Sequence, residues 1–176
     1  VTTIIGVQYE NSCLIVADSR VTDDSGKIFS HPNMTKINER GAFLIAGAGE
    51  ILPCDVVQHS WSPPRVTVKD KQNLYHFMVV KVIPSIRKCL KENGYSFDDN
   101  GDERFSFLVA VCGQIFELDD NLGITQNNTG FYGIGSGAPY ALGALTAGAK
   151  PIEAMDIASD LTAFTAPPYQ FAEQSA

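Results

Sequence analysis

The first place where residue type and position could do chemistry is the threonine pair in Val1-Thr2-Thr3-Ile4-Ile5-Gly6-Val7. A threonine hydroxyl alone is a poor nucleophile, but a threonine that begins a chain carries its own base, the α-amine. That amine has a reference pKa of about 8, so an appreciable fraction is neutral near pH 7. The plainer reading is that both threonines open a β-strand, which suits their branched side chains. Val1 precedes Thr2 and locks its nitrogen in a peptide bond, and a peptide nitrogen is no base. Catalysis at Thr2 is therefore expected only after Val1 is removed; the alternative is an unprocessed or inactive form. Other reactive groups are sparse. Cys13, Cys54, Cys89 and Cys112 form no Cys-x-x-Cys pair, and His31, His59 and His76 lack zinc-ligand spacing.

The frame around that pair is bounded by composition. A chain of 176 residues suits a single domain over 1–176, large enough to bury roughly two-thirds of its unfolded surface. A net charge of −7, with basic residues scattered singly or in short pairs, argues against a nucleic-acid surface. The longest apolar runs fall short of a membrane span. No charged-then-apolar leader precedes Val1, so a cytoplasmic protein with reduced thiols is expected. On that reading the sequons Asn33-Met34-Thr35 and Asn127-Asn128-Thr129 carry no weight.

Hydrophobic patterning predicts the elements that must position these residues. Thr3 to Val7 and Leu14 to Asp18 are expected as strands joined by a polar hairpin connection. A turn-rich stretch from Thr22 leads to Ile28-Phe29; a strand then starts at Lys36, and Ala42 to Ala46 forms a buried one ended by Gly47-Ala48-Gly49. Glu50 to Trp61 reads as a helix with Pro53 in its first turn. Lys69 to Asn93 reads as one long helix, kinked at Pro84 and stopped by Gly94. A charged loop from Phe97 to Arg104 precedes strands at Phe105 to Cys112 and Gln114 to Leu118, then short ones at Ile124 and at Phe131 to Ile134. Ala138 to Ala147 and Ile152 to Phe164 are expected as helices. The order predicts an α+β fold, a four-layer αββα sandwich of two antiparallel sheets flanked by helices.

Five motifs, in order, then carry a resemblance: Thr-Thr-Ile-Ile-Gly-Val, Ala17-Asp18-Ser19-Arg20, Lys36, Ile45-Ala46-Gly47, and Gly133-Ile134-Gly135-Ser136-Gly137-Ala138-Pro139-Tyr140. Together they resemble proteasome β-type subunits, which are N-terminal-nucleophile (Ntn) hydrolases. Ala154-Met155-Asp156-Ile157-Ala158-Ser159-Asp160-Leu161 and the short length are similar to the bacterial HslV type in particular. A rival Gly-x-Ser-x-Gly elbow around Ser136 fails, because Ile134 holds the first glycine position.

The resemblance implies a role for each matched residue. Thr2 is the nucleophile of a threonine endopeptidase. Lys36 is the catalytic lysine that lowers the amine pKa, and Asp18 is its ion-pair partner. Gly47 donates its backbone N–H to the oxyanion, and Ser136 hydrogen-bonds near the threonine amine. Without the family, Lys36 reads as a surface lysine at a strand start, Asp18 as a strand-end carboxylate and Gly47 as a strand-ending glycine. Val21 and Ile45 are expected to line the substrate pocket, with the Thr22 and Gly49 backbones pairing to an extended substrate. Thr162 stands where eukaryotic and archaeal members have an aspartate. Backbone carbonyls of Ser159, Thr162 and Thr165 match positions that hold Na+ or Mg2+ in the bacterial type, although an ordinary helix terminus has the same composition. The chemistry itself needs no cofactor.

By resemblance the partners are copies of the same chain in a ring, with stacked rings, a separate ATP-dependent unfoldase, and unfolded protein substrates; nucleic acid and membrane are not expected. The sequence has no Gly-x-x-x-x-Gly-Lys segment of its own. The alternative function is an inactive or unprocessed ring-assembly subunit, and a small-molecule amidase is a third possibility.

Overall fold

The computed structural model describes residues 2–23, 25–97 and 105–176. Strands β1 (Thr3–Gln8) and β2 (Ser12–Ala17) form the first hairpin. Short β3 (Val21–Thr22) and β4 (Ile28–Phe29) pair as a separate ribbon. Then come β5 (Ile37–Arg40), β6 (Phe43–Gly49) and helix α1 (Ile51–Ser60). Two single turns, α2 (Val68–Lys71) and α3 (Leu74–Phe77), lead through a π-helical turn at Met78–Val82 into α4 (Ile83–Glu92). The second half holds β7 (Phe105–Val111), β8 (Gln114–Leu118), β9 (Ile124–Thr125) and β10 (Phe131–Gly135). Helices α5 (Ala138–Thr146) and α6 (Pro151–Leu161) and strand β11 (Gln170–Ser175) follow.

One sheet runs β10-β1-β2-β11 and the other β5-β6-β7-β8-β9, with every pairing antiparallel. Strand alternation sorts the apolar side chains into three cores. Ile4, Ile15 and Ala17 meet Leu44, Ala46, Leu108 and Ala110 between the sheets. Their neighbours Ile5, Val7 and Val16 turn the other way, onto Ala141, Leu145, Met155 and Ala158 of α5 and α6. Phe43, Ile45, Phe107 and Val109 likewise pack outward against α1, the π turn and α4. Because both faces of each sheet are covered, the central strands read as unbroken apolar runs, as the physics of buried sheets requires. The expected four-layer αββα architecture is the one observed.

Three expectations are corrected. The long helix expected over Lys69 to Asn93 is divided, because Asn73 caps a new start at Leu74 by accepting the His76 N–H (3.0 Å). Pro84 lies in the first turn of α4, directly after the π turn, where its missing N–H falls on a ladder that is already re-registered. The final helix ends at Leu161, three residues short of Phe164. Beyond it, β11 closes the four-stranded sheet along β2, a strand the patterning did not predict. Most of the expected charged loop, residues 98–104, lies outside the described residues.

Candidate active site

The site is organised by one buried carboxylate. Asp18, at the end of β2, has no exposed surface. Its Oδ1 accepts the Thr3 N–H at 2.8 Å and the Lys36 ammonium at 2.6 Å. Its Oδ2 accepts the Arg20 N–H at 2.9 Å and the Ala166 N–H at 3.3 Å. Four donors from four segments thus serve two oxygens, the compensation that a buried charge requires.

Lys36 precedes β5 and is 6% exposed. Its Nζ also donates to Arg20 O at 2.6 Å. Burial pulls the Lys36 ammonium below the ordinary lysine value, while the Asp18 carboxylate opposes this by attraction and by hydrogen bond. The lysine backbone is held as firmly as its side chain. Gln170 Oε1 accepts the Lys36 N–H at 2.8 Å, and Gln58 Nε2 donates to Lys36 O at 3.2 Å.

Thr2 directly precedes β1, an inner strand of the four-stranded sheet, and is 7% exposed. Gly135 lies against its peptide: with φ at +89°, a Cβ there would collide with Thr2 O. Ser136 Oγ donates to the same Thr2 O at 3.5 Å. Thr3 points into the protein, where its Oγ1 shares a hydrogen bond of 2.5 Å with Thr165 Oγ1. Of the two threonines, Thr2 is the one on the cleft. Val1 lies outside the described residues.

Thr2, Val21, Thr22, Lys36, Gly47 and Gly49 line one cleft of about 450 Å³ between the sheets' ends and α1. Asp18 lies beneath it, and Ser136 touches it only through the Thr2 peptide. Ile45 is placed differently from expectation. It is fully buried in the core against α1, behind Cys54, because its side chain points from β6 toward the outer helices. Gly47 is required by close approach: a Cβ there would lie 2.7 Å from Cys54 Sγ and 3.0 Å from Phe107 Cε1. Its N–H donates to Lys36 O over a long 3.4 Å. Cys54, on the cleft floor, has its thiol pushed up to about 12 by burial and by the nearby Asp55 and Glu50 carboxylates.

The loop after α6 gathers Ser159, Thr162 and Thr165. Thr165 O accepts from Ser159 Oγ at 3.3 Å, and Thr162 O accepts the Thr165 N–H at 3.5 Å. Arg20 Nη1 donates to Ala163 O at 2.6 Å. Among the described residues the Thr162 and Thr165 carbonyls are engaged by these long bonds. Among the described residues no group of three or more His, Cys, Asp or Glu side chains could hold a metal ion.

Sequence reasoning missed Gln58, Gln170, Thr3 and the Ala166 N–H. Gln58 and Gln170 carry no motif, and their partners lie 22 and 134 residues away. The one usable signal was Gln58 itself, a polar residue among apolar positions of α1.

The same layers recur in solved structures. BPH from Thiobacillus denitrificans, in complex with epoxomicin, matches with a TM-score of 0.74 at 22% identity, over 99% of this chain and 98% of that one. HslV from Trypanosoma brucei matches at 0.72 and 18% identity, over 99% and 100%. Anbu, the ancestral β-subunit, from Yersinia bercovieri matches at 0.71 and 12% identity, over 99% and 81%. Neither a protein-family model nor a curated protein sequence matches the chain. What this chain shares with BPH, HslV and Anbu at such identities is their fold, the αββα sandwich of the Ntn hydrolases.

Proposed function

We propose that the chain is a threonine endopeptidase subunit, HslV-like in its chemistry, that cuts unfolded protein with Thr2 as nucleophile. The observation that carries this reading is that Thr2 and Lys36 open on one cleft, with Asp18 pinning the lysine from below. In the proposed cycle Val1 is first removed, which frees the Thr2 amine. The amine takes the proton of Thr2 Oγ1 as that oxygen attacks a peptide carbonyl. The Lys36 ammonium stabilises the alkoxide, and the developing oxyanion turns to the Gly47 N–H, whose bond to Lys36 O is long enough to surrender. The Thr2 ammonium protonates the departing amine, leaving an ester on Oγ1. Water, deprotonated by the same amine, then cleaves that ester and restores the hydroxyl. Ser136 Oγ, already on the Thr2 peptide, orders the segment that carries the nucleophile.

The Thr22 and Gly49 backbones would pair with an extended substrate as an added strand. Val21 faces the side chain before the cut bond and favours an apolar one, with Ile45 behind the wall rather than on it. A Na+ or Mg2+ on the carbonyls of Ser159, Thr162 and Thr165 would order the turn after α6, and no step above runs through it. The enclosing assembly would be a ring of identical subunits, with stacked rings, fed by a separate ATP-dependent unfoldase in the cytoplasm. Such enclosure keeps an indiscriminate peptidase from folded protein. The second reading, an unprocessed ring-assembly subunit, rests on Val1 ahead of Thr2.

Intact mass of active protein tests the proposal directly. The active form is expected to begin at Thr2, and Thr2→Ala to abolish turnover of an unstructured peptide while leaving the fold intact. Epoxomicin, found on the Thiobacillus denitrificans protein, is expected to bind the Thr2-initiated form and not Thr2→Ala. Full activity with Val1 retained, or near-normal activity in Thr2→Ala, overturns the reading.

A further inference from the structure

Lys36 O is the acceptor for two donors at once, Gln58 Nε2 at 3.2 Å and the Gly47 N–H at 3.4 Å. Gln58 is 3% exposed, on α1, and its other amide atom is committed: Oε1 accepts Asn38 Nδ2 at 2.9 Å. That bond fixes the amide orientation, because the Asn38 NH2 can meet only the oxygen end and so aims the Gln58 NH2 at Lys36 O. A buried carbonyl stripped of its last donor carries the full desolvation cost of an unsatisfied polar group. If Lys36 O had only Gly47, releasing that N–H to a substrate oxyanion would carry this cost in the step where the oxyanion forms.

We infer that Gln58 is a positioning residue that holds Lys36 O so that the Gly47 N–H can leave it for the oxyanion. The inference rests on the threonine-peptidase reading for its kinetic part and on geometry alone for its structural part. Gln58 touches no reacting atom. It acts through the Lys36 peptide, whose other side Gln170 secures at the N–H. Asn38 acts one step further out, through the orientation of Gln58.

Two variants and two readouts separate the possibilities. Gln58→Met keeps the length of the side chain and removes both amide bonds, while Asn38→Ala frees the Gln58 amide without touching the core. In Thr2-initiated protein, Gln58→Met is expected to lower kcat on a fluorogenic peptide roughly tenfold to a hundredfold, at or below the loss for a deleted oxyanion donor, with KM changed less than twofold. Asn38→Ala should show a smaller loss of kcat, and the double variant no more loss than Gln58→Met. Binding of a peptide aldehyde, whose adduct places an oxyanion in the site, should weaken in proportion to kcat. Binding of the same peptide as an uncleaved amide analogue should stay within twofold. The second readout needs no activity: hydrogen exchange at the Gly47 amide, followed by residue-resolved mass spectrometry, should slow several-fold in Gln58→Met, where Gly47 becomes the remaining of the two donors to Lys36 O. Unchanged Gly47 exchange in both variants, or kcat within twofold of wild type in both, overturns the inference. Absence of any Thr2-dependent turnover in the parent protein overturns the peptidase reading instead and leaves the exchange result to judge Gln58.

Discussion

Replacing Asp18 by asparagine should be poorly tolerated, even though it preserves the shape of the side chain. Both carboxylate oxygens act purely as acceptors: Oδ1 serves Thr3 N–H and Lys36 Nζ, and Oδ2 serves Arg20 N–H and Ala166 N–H. An asparagine presents one oxygen and one NH2. In either orientation the NH2 faces donors, so two hydrogen bonds become donor–donor contacts in a fully buried place. Removing one partner of a buried ion pair costs about 3–5 kcal/mol, because the other charge stays buried and unpaired. Total stabilities run to about 5–15 kcal/mol, so this one change removes about a fifth or more of the total. At about 2–4 °C of melting temperature per kcal/mol for a domain of this size, the expected fall is roughly 6–20 °C. The check is urea unfolding of Asp18→Asn against the parent, with the slope m compared to hold the unfolded state constant. Asp18→Ala should fall by a similar amount, since asparagine retains no orientation that works. A stability within 1 kcal/mol of the parent for Asp18→Asn would refute the four-donor account.

Four further outcomes are expected. Because burial lowers the Lys36 pKa, the alkaline limb of kcat/KM should lie below the ordinary lysine value; the ammonium is present below that limb and lost above it, Asp18→Asn should move the limb lower still, and Lys36→Arg should remove it without restoring the rate, all read from a pH profile. The same depression makes the folded form bind fewer protons at Lys36 than the unfolded form between the two pKa values, so this group's contribution to stability should rise with pH through that window, which urea midpoints of the parent and Lys36→Met would reveal. Gly47→Ala should destabilise by about 1–3 kcal/mol through overpacking on Cys54 and Phe107, with part of the loss recovered in a Gly47→Ala, Cys54→Ala double variant, as a thermal-unfolding cycle would measure. The Cys54 thiol, pushed up to about 12, should resist iodoacetamide at pH 8 although it lines the cleft; fast alkylation there, seen by mass spectrometry, would contradict its burial.

The parts of the fold that the sequence made legible are those in which local pattern and final burial agree. β1, β2, β6 and β7 are apolar on both faces because helices cover one side and the partner sheet the other, and the pattern carries that information. β11 was illegible for the converse reason. Its residues alternate between half-buried and exposed along a sheet edge, with Phe171 half exposed, so Tyr169-Gln170-Phe171-Ala172-Glu173 offers little contrast after Pro167-Pro168. The π turn was hidden because Met78 and Val82 keep a helix-like apolar spacing whether the ladder is α or π. Within the site, the residues on the cleft wall could be named through motifs. Their scaffold could not, since the Ala166 donor on Asp18 and the two glutamines on Lys36 meet them only through tertiary contacts as far as 148 residues apart. Ile45 shows the same limit at the scale of one side chain: position along a strand is readable, but which sheet face looks on the cleft depends on the register with β7.

The strand order β10-β1-β2-β11 sets a timetable for synthesis. Thr2 and Thr3 leave the ribosome before the rest of this fold, yet Thr3 must wait for a hydroxyl 162 residues later, and β1 has no second neighbour until Phe131–Gly135 emerges. Ala166 and Gln170, which complete the clasp on Asp18 and Lys36, arrive later still. A nascent chain therefore carries Thr2 and Thr3 long before it carries the frame that holds them. Such long-range closure slows folding.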